Sequence, residues 1–223
     1  MNSALAPDSG NVAIAIDGPA ASGKSTLARE LAQRLGLIMV NSGSMYRAVT
    51  WKILRDGIDP QDPAAVVALL HRTRLDCGDD GIYSTLTIDG MDPGDALRSS
   101  AVNSNVSAVS AVPEVRQALV ALQRDYLNRA SIVMEGRDIG SVVFPETPYK
   151  IYVDADEHVR TARRRNAGEQ DSVAQRDAAD SGRAHAPLMI PLGAVVLDTS
   201  LLSIESGVLA AIEILKQQGL KLL

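Results

Sequence analysis

Between Val12 and Thr26 the chain reads Val-Ala-Ile-Ala-Ile-Asp-Gly-Pro-Ala-Ala-Ser-Gly-Lys-Ser-Thr, and few stretches restrict a fold so tightly. The apolar run Val12 to Ile16 has the length of a buried strand and stops at Asp17. Gly18, Gly23, Lys24 and Ser25 then complete the pattern G-x-x-x-x-G-K-S. Leu27, Leu31 and Leu35 recur at helical spacing, and Gly36 is a natural C-terminal stop. Strand, glycine-rich turn and helix in that order predict a phosphate-binding loop.

The chemistry explains the spacing. Triphosphate oxygens need many donors at short range, and a glycine-rich turn lets backbone N–H groups converge without Cβ atoms intruding. Gly18, Pro19, Ala20, Ala21, Ser22, Gly23, Lys24, Ser25 and Thr26 are the candidate cradle. The N-terminus of the following helix adds its own free N–H groups and the positive end of its dipole. Lys24 can reach the β and γ phosphates as a mobile point charge, and the Ser25 hydroxyl is suited to Mg²⁺. The stretch reads as a nucleoside triphosphate site.

Composition narrows the partners. A chain of 223 residues fits one α/β domain with a modest insertion. Its net charge of −5 argues against a general nucleic-acid surface, and one Trp, one Phe and five Tyr offer few platforms for base stacking. Cys77 is the sole cysteine, so no internal disulfide is possible and a reducing compartment fits. The first ten residues carry no basic segment and no long apolar run, so no signal peptide is expected. No stretch of about 18 apolar residues exists, so no membrane span is expected either, and a cytoplasmic protein is. Of the 22 basic residues 17 are Arg, which suits planar oxyanion clamps, although codon bias explains the total as well; positions have to decide.

Along the chain, Leu37 to Val40 predicts a second strand, followed by Asn41-Ser42-Gly43-Ser44-Met45-Tyr46-Arg47 and a helix to about Arg55. Asp62 is a helix cap and Pro63 a first helical residue for a short helix to about His71. From Thr73 to Asp92 the character changes. Arg74 to Cys77 and Ile82 to Ile88 read as short strands separated by turn signals. Helices are expected over Val102 to Ser110 and, after Pro113, along Val115, Leu119, Leu122 and Tyr126. Ser131 to Met134, Tyr149 to Val153 and Val195 to Leu197 are the remaining strands; an Arg-rich helix and a closing helix, Leu201 to Gln217, complete the set. Four or five strands alternating with helices imply a parallel sheet with helices on both faces.

Polar clusters fall where strands end, which is where ligands sit in open α/β sheets. Glu135 resembles a carboxylate that holds Mg²⁺ through water, and is equally a turn or capping acid. Arg137-Asp138 directly behind it is a pair that an exposed turn does not require. Arg163, Arg164 and Arg165 are either a solvated helix face or, with Arg176, Asp180 and Arg183, part of a lid closing over phosphates. His71, His158 and His185 have no ligand spacing and read as surface residues, and Cys77 as packing.

Taken together, these segments resemble the bacterial-type cytidylate kinase family along nearly the whole chain. The resemblance is carried by Asp17-Gly18-Pro19 with the loop, Ser42 to Arg47, Pro113-Glu114-Val115-Arg116, Gly136-Arg137-Asp138-Ile139-Gly140, Val143-Phe144-Pro145, Arg160-Thr161-Ala162-Arg163-Arg164, and Arg183-Ala184-His185-Ala186-Pro187-Leu188. It implies a three-layer fold of the P-loop NTPase type, with a mainly parallel central sheet, helices on both faces and a small β-rich inserted subdomain that binds the nucleoside monophosphate. Residues 1–58 and 111–223 would form the core, with a lid at about 160–185; residues 59–110 would form the insertion, with its β-rich block near 73–95. The implied activity is ATP-dependent phosphorylation of CMP, and dCMP as well, assisted by Mg²⁺ and carried out by a monomer.

By the same resemblance, Ser42, Ser107, Arg116 and Asp138 would meet the cytosine, and Arg47, Arg137 and Arg183 the CMP phosphate. Arg176 and Asp180 would meet the ribose. Lys24, Arg137, Arg163 and Arg183 would act on the transferring phosphoryl group, with Ser25 and Glu135 toward the metal. Asn41 and Glu135 depart from the family, which usually has Asp at both positions, and the segment from Asp154 to Arg176 is short for it. Two other readings stay open from sequence: a P-loop kinase for another monophosphate or a small metabolite, and a slow nucleotide-dependent switch. The switch lacks an Asn-Lys-x-Asp guanine-reading motif.

Overall fold

The computed structural model describes residues 10–166, 177–178, 182 and 188–221. Five strands, β1 (Ala13–Asp17), β2 (Ile38–Asn41), β5 (Ile132–Gly136), β6 (Lys150–Asp154) and β7 (Val195–Asp198), form one sheet in the order β2-β5-β1-β6-β7, with every pairing parallel. Parallel neighbours need helical crossovers, and these cover both faces. Strand β1 shows why. Its side chains alternate, so Ile14 and Ile16 face helix α1 (Lys24–Leu35) and the closing helix α7 (Ile204–Gln217), while Ala13 and Ala15 lie in the cluster with Tyr126 of helix α5 (Pro113–Arg129).

Local signals set the element ends. Gly36 takes a left-handed conformation, φ 67°, and ends α1. Asn41 caps helix α2 (Ser42–Arg55) by accepting from Ser44 N, which is what the Asn in place of the expected Asp does here. Asp62 accepts from Ala64 N and Ala65 N at the head of α3 (Pro63–Leu70), with Pro63 at the first helical position. The closing helix begins at Ile204 rather than at Leu201: Ser203 accepts from Ser206 N and caps it, leaving Leu201 outside and exposed. Strand β5 also extends further than its apolar run, through Glu135 to Gly136.

The β-rich block is a separate antiparallel hairpin of β3 (Leu75–Asp79) and β4 (Ser84–Ile88). It is tied to the edge of the main sheet where Met39 N of β2 donates to the Ile82 carbonyl. A second apolar cluster joins α2, α3, α4 (Ser100–Ala111) and α5 through Met45, Val49, Ile53, Val66, Val106 and Leu119. Cys77 is half-buried and packs at the rim of this cluster, and His71 and His158 are exposed. Helix α6 (Glu157–Asn166) follows β6 and carries the arginine run.

Candidate active site

In a parallel sheet whose order reverses beside β1, the ligand crevice lies beyond the carboxyl ends of the strands. Those ends are Asp17, Asn41, Gly136, Asp154 and Asp198. The glycine-rich loop leaves β1 at Gly18, whose φ of 149° suits glycine alone. A Cβ there would also lie 2.0 Å from the Val153 carbonyl oxygen of β6, so the loop's tight seat on the sheet needs the bare backbone. Gly23, φ 93°, then turns the chain into α1, whose first residue is Lys24. The N-terminus of α1 therefore opens onto the crevice with the loop wrapped around it.

Lys24 is buried, its Nζ donating to the Pro19 carbonyl at 3.0 Å and standing 4.0 Å from Glu135 Oε2. The Ser25 hydroxyl donates to Glu135 Oε1 at 2.8 Å. Glu135 is thus held in β5 directly opposite the loop, its carboxylate shared between the two residues suited to phosphate and metal. One strand-turn later the backbone must pass very close to α2. Ser42 Oγ donates to the Glu135 carbonyl at 2.8 Å, and a Cβ on Gly136 would fall 2.5 Å from that same Oγ. Gly136 is what lets the head of α2 and the end of β5 meet.

Asp138 and Arg116 form a buried ion pair, Arg116 Nη2 against Asp138 Oδ2. The guanidinium is also stacked over Tyr46, 5.6 Å from the ring centroid, and its Nη1 donates to the Ser110 carbonyl at 3.4 Å. Ser110 in turn donates to the Ser107 carbonyl, so both serines share the end of α4 that faces this pair. Arg47 and Arg137 are half-buried, and Arg47 Nη1 lies 2.8 Å from the point where a Cβ on Gly43 would stand.

On the opposite wall, Arg163 Nη1 donates to Thr199 Oγ1 at 3.0 Å and Nη2 to the Thr199 carbonyl at 2.8 Å. Thr199 Oγ1 lies 2.7 Å from the Ser22 carbonyl, so this hydroxyl joins α6 to the phosphate loop. Arg160 reaches the loop as well: its Nη1 pairs with Asp177 Oδ2 and donates to the Ala20 carbonyl at 3.4 Å. Arg164 is buried and Arg165 exposed, and Arg164 lines the same cleft as Arg163, so the arginine run is not one solvated face.

One cleft of about 850 Å³ joins these groups. Its lining includes Ala20, Ala21, Gly23, Lys24, Ser25 and Thr26 at one end, and Ser107, Arg116 and Asp138 at the other. Ser42, Arg47, Glu135, Arg137 and Arg163 stand between or beside them. That volume is near the upper end of ordinary ligand pockets. Of the residues proposed from sequence, Gly18, Pro19 and Ser22 support the loop from behind without lining the cleft. Arg176, Asp180 and Arg183 lie outside the described residues.

Three participants were not read from the sequence as part of the site. Asp17 is 1 % exposed; its Oδ1 accepts from Ile139 N and its Oδ2 from Gly140 N, each at 2.7 Å. Burial pushes this carboxyl up to about 7, against the pull of those two N–H groups. A charged residue closing an apolar strand was the available signal. Thr199 and Asp177 left no such trace, since their partners are far away in sequence.

The profile of the family described as cytidylate kinase matches residues 14–217. A cytidylate kinase of Streptomyces avermitilis is 39 % identical over 218 residues, covering 93 % of this chain and 94 % of the relative. One from Nocardia farcinica is 41 % identical over 217 residues, covering 92 % and 94 %. Among solved structures, an unliganded sugar kinase from a Janibacter species superposes with a TM-score of 0.50 at 13 % identity, covering 92 % of this chain and 95 % of that one. At that identity the likeness speaks for the fold alone.

Proposed function

The chain belongs to the cytidylate kinase family, and we propose that it transfers the γ-phosphoryl group of ATP to CMP, and to dCMP, giving the diphosphate and ADP. The observation that carries the reading is the joining of two unlike ends in one cleft. At one end is the phosphate loop with Lys24; at the other is the buried Arg116–Asp138 pair, beside Ser107.

Each end suits one substrate. Cytosine presents an amine donor beside the N3 and O2 acceptors. The lone pairs of Asp138 left over from Arg116 accept the amine, while Arg116 and Ser107 supply donors. Uracil reverses donor and acceptor at that edge and would strand buried groups, a mismatch costing a factor on the order of 10⁴. Arg47 and Arg137 receive the acceptor phosphate as forked donors. Arg183 and the ribose contacts Arg176 and Asp180 complete the acceptor side in this reading.

The transfer itself needs no side-chain nucleophile. The attacking atom is a phosphate oxygen of the acceptor, largely ionised at pH 7 because its second pKa is near 6. The remaining task is to bring two anions together and to stabilise charge on the moving group. Loop N–H groups hold the donor, Lys24 follows the transferring phosphoryl group, and Arg137, Arg163 and Arg183 offset its charge.

Ser25 and Glu135 fit Mg²⁺. A hydroxyl and a carboxylate oxygen meet at 2.8 Å at the mouth of the loop, and Mg²⁺ characteristically takes one or two protein oxygens and completes its shell with water and phosphates. Among the described residues no cluster of three or more His, Cys, Asp or Glu could hold a metal. Held by Ser25 and Glu135, the ion would neutralise part of the phosphate charge.

The inserted unit, residues 59–110, serves in this reading as the acceptor-binding subdomain, with 1–58 and 111–223 as the core and 160–185 as the lid. In the same reading the protein acts on small nucleotides as a cytoplasmic monomer. No described helix is long and apolar enough to cross a membrane. A coupled assay of ADP release across CMP, dCMP, UMP, AMP and shikimate at saturating ATP tests the reading. CMP and dCMP should lead; AMP, UMP or shikimate outpacing CMP would overturn it.

A further inference from the structure

We infer that Asp17 is a positioning residue for the acceptor side of the cleft: its carboxylate fixes the backbone of the turn that carries Arg137 and Asp138. The inference rests on the functional reading above for what that turn does. The geometry stands apart from it. Asp17 ends β1, and the next residue, Gly18, opens the phosphate loop. Its two oxygens take the N–H groups of Ile139 and Gly140, one each at 2.7 Å, across more than 120 residues of sequence. The residues just before those two amides are Arg137 and Asp138. One side chain therefore ties the start of the donor loop to the acceptor turn.

A purely structural role explains these features less well. A carboxylate that is 1 % exposed is costly to bury. Only a carboxylate offers two acceptor oxygens to two neighbouring N–H groups; Asn offers one and sets an NH₂ against the other. Those N–H groups open a π-helical turn, Ile139–Val143, and like the first amides of any helix they find no acceptor within it. Packing is correspondingly close. A Cβ on Gly140 would stand 3.2 Å from Asp17 Oδ2, so the turn can approach the carboxylate because residue 140 is glycine. Burial raises the Asp17 pKa to about 7, so the fold retains this acid at a cost.

The test compares wild type with Asp17→Asn and Asp17→Ser near pH 8, where the wild-type residue is ionised. Kinetics for CMP, UMP and ATP are combined with amide hydrogen exchange at Ile139 and Gly140. In Asp17→Asn, exchange at these two amides should quicken about tenfold, and the preference for CMP over UMP in kcat/KM should fall about tenfold, while the KM for ATP changes less than about twofold. If Asn does not fold, Ser, which is smaller and leaves room for water, decides the same comparison. A folded variant that keeps its CMP preference, or that loses CMP and ATP use in parallel, overturns the positioning role. So do wild-type amides that exchange as freely as an unstructured peptide. Wild type failing to phosphorylate CMP would overturn the functional reading alone, because exchange in wild type and variant still judges the clamp.

Discussion

The guanidinium of Arg116 and the carboxylate of Asp138 face each other in a buried pair, one from the first turn of α5 and the other from the turn after β5. Neither is more than 6 % exposed. Nothing in the fold requires a charged pair at this point, and burying one adds little net stability. It does leave hydrogen-bonding capacity of both signs at the closed end of the cleft, which is what a base edge needs.

Removing the acid should therefore injure one substrate and not the other. Asp138→Ala is expected to raise the KM for CMP by about 100-fold, from the lost bond and the stranded guanidinium, and to cost about 3 kcal/mol of stability. ATP affinity, measured by equilibrium titration of the same protein, should stay within about twofold. Equal weakening of both ligands would mean that the pair supports the fold rather than reading the base.

Lys24 calls for the opposite signature. Its ammonium sits between the Pro19 carbonyl and Glu135, on the donor side of the cleft. If it follows the moving phosphoryl group, Lys24→Ala should lower kcat by about 100-fold or more while the KM for CMP moves little. Steady-state kinetics at saturating ATP make the distinction. Near-normal turnover would remove Lys24 from the chemistry.

Glu135 bears on the metal. Its Oε1 accepts from Ser25 and its Oε2 stands 4.0 Å from Lys24 Nζ. Glu135→Gln keeps the shape and loses the charge. It should raise the Mg²⁺ concentration for half-maximal activity by roughly tenfold, the low end of what outer ligands contribute. An unchanged Mg²⁺ titration would make Glu135 a support for Lys24 and Ser25 only.

Thr199 couples the arginine helix to the loop, with Arg163 bonding its hydroxyl and that hydroxyl 2.7 Å from the Ser22 carbonyl. Thr199→Val keeps the branching and deletes the oxygen. The expected loss is about 1–2 kcal/mol in thermal unfolding, with a KM for ATP raised about fivefold and the KM for CMP little changed. Selective damage to CMP instead would place the coupling on the wrong side of the cleft.

How much of this was legible in the sequence depends on distance along the chain. The loop, the Gly36 stop and the Asp62-Pro63 helix start are local, their partners lying within a few residues, and they appear as spacing. The unbroken apolar run of β1 likewise declares a strand covered on both faces. The tether from Met39 to Ile82 and the Thr199 link to Ser22 are bonds between segments far apart, and spacing carries no trace of them. Leu201 belonged to the apolar pattern of the closing helix, yet Ser203 captured the cap position and left it in solvent, because a good cap outweighs one more apolar residue at a frayed end. Arg164 was open to two readings from sequence, a solvated face or part of a lid, and its burial removes the first, since a long stem can pack while its head stays polar.

Asp17 also makes a prediction for stability that needs no substrate. Its carboxyl, near 3.8 in an unfolded chain, is raised to about 7 in the fold, chiefly by burial, with the two backbone N–H groups opposing. Between those values the folded protein binds this proton and the unfolded chain has released it. Its contribution is therefore fully present below pH 3.8 and is lost as pH rises through about 7. Other carboxylates titrate over part of the same interval, so the difference between wild type and Asp17→Asn is the quantity to follow. The Tm of wild type relative to the variant should be greatest near pH 4 and decline steadily to about pH 7.5, then level off. Should that difference instead grow with pH, the two N–H bonds outweigh desolvation, and Asp17 sits in the fold as a stabilised carboxylate.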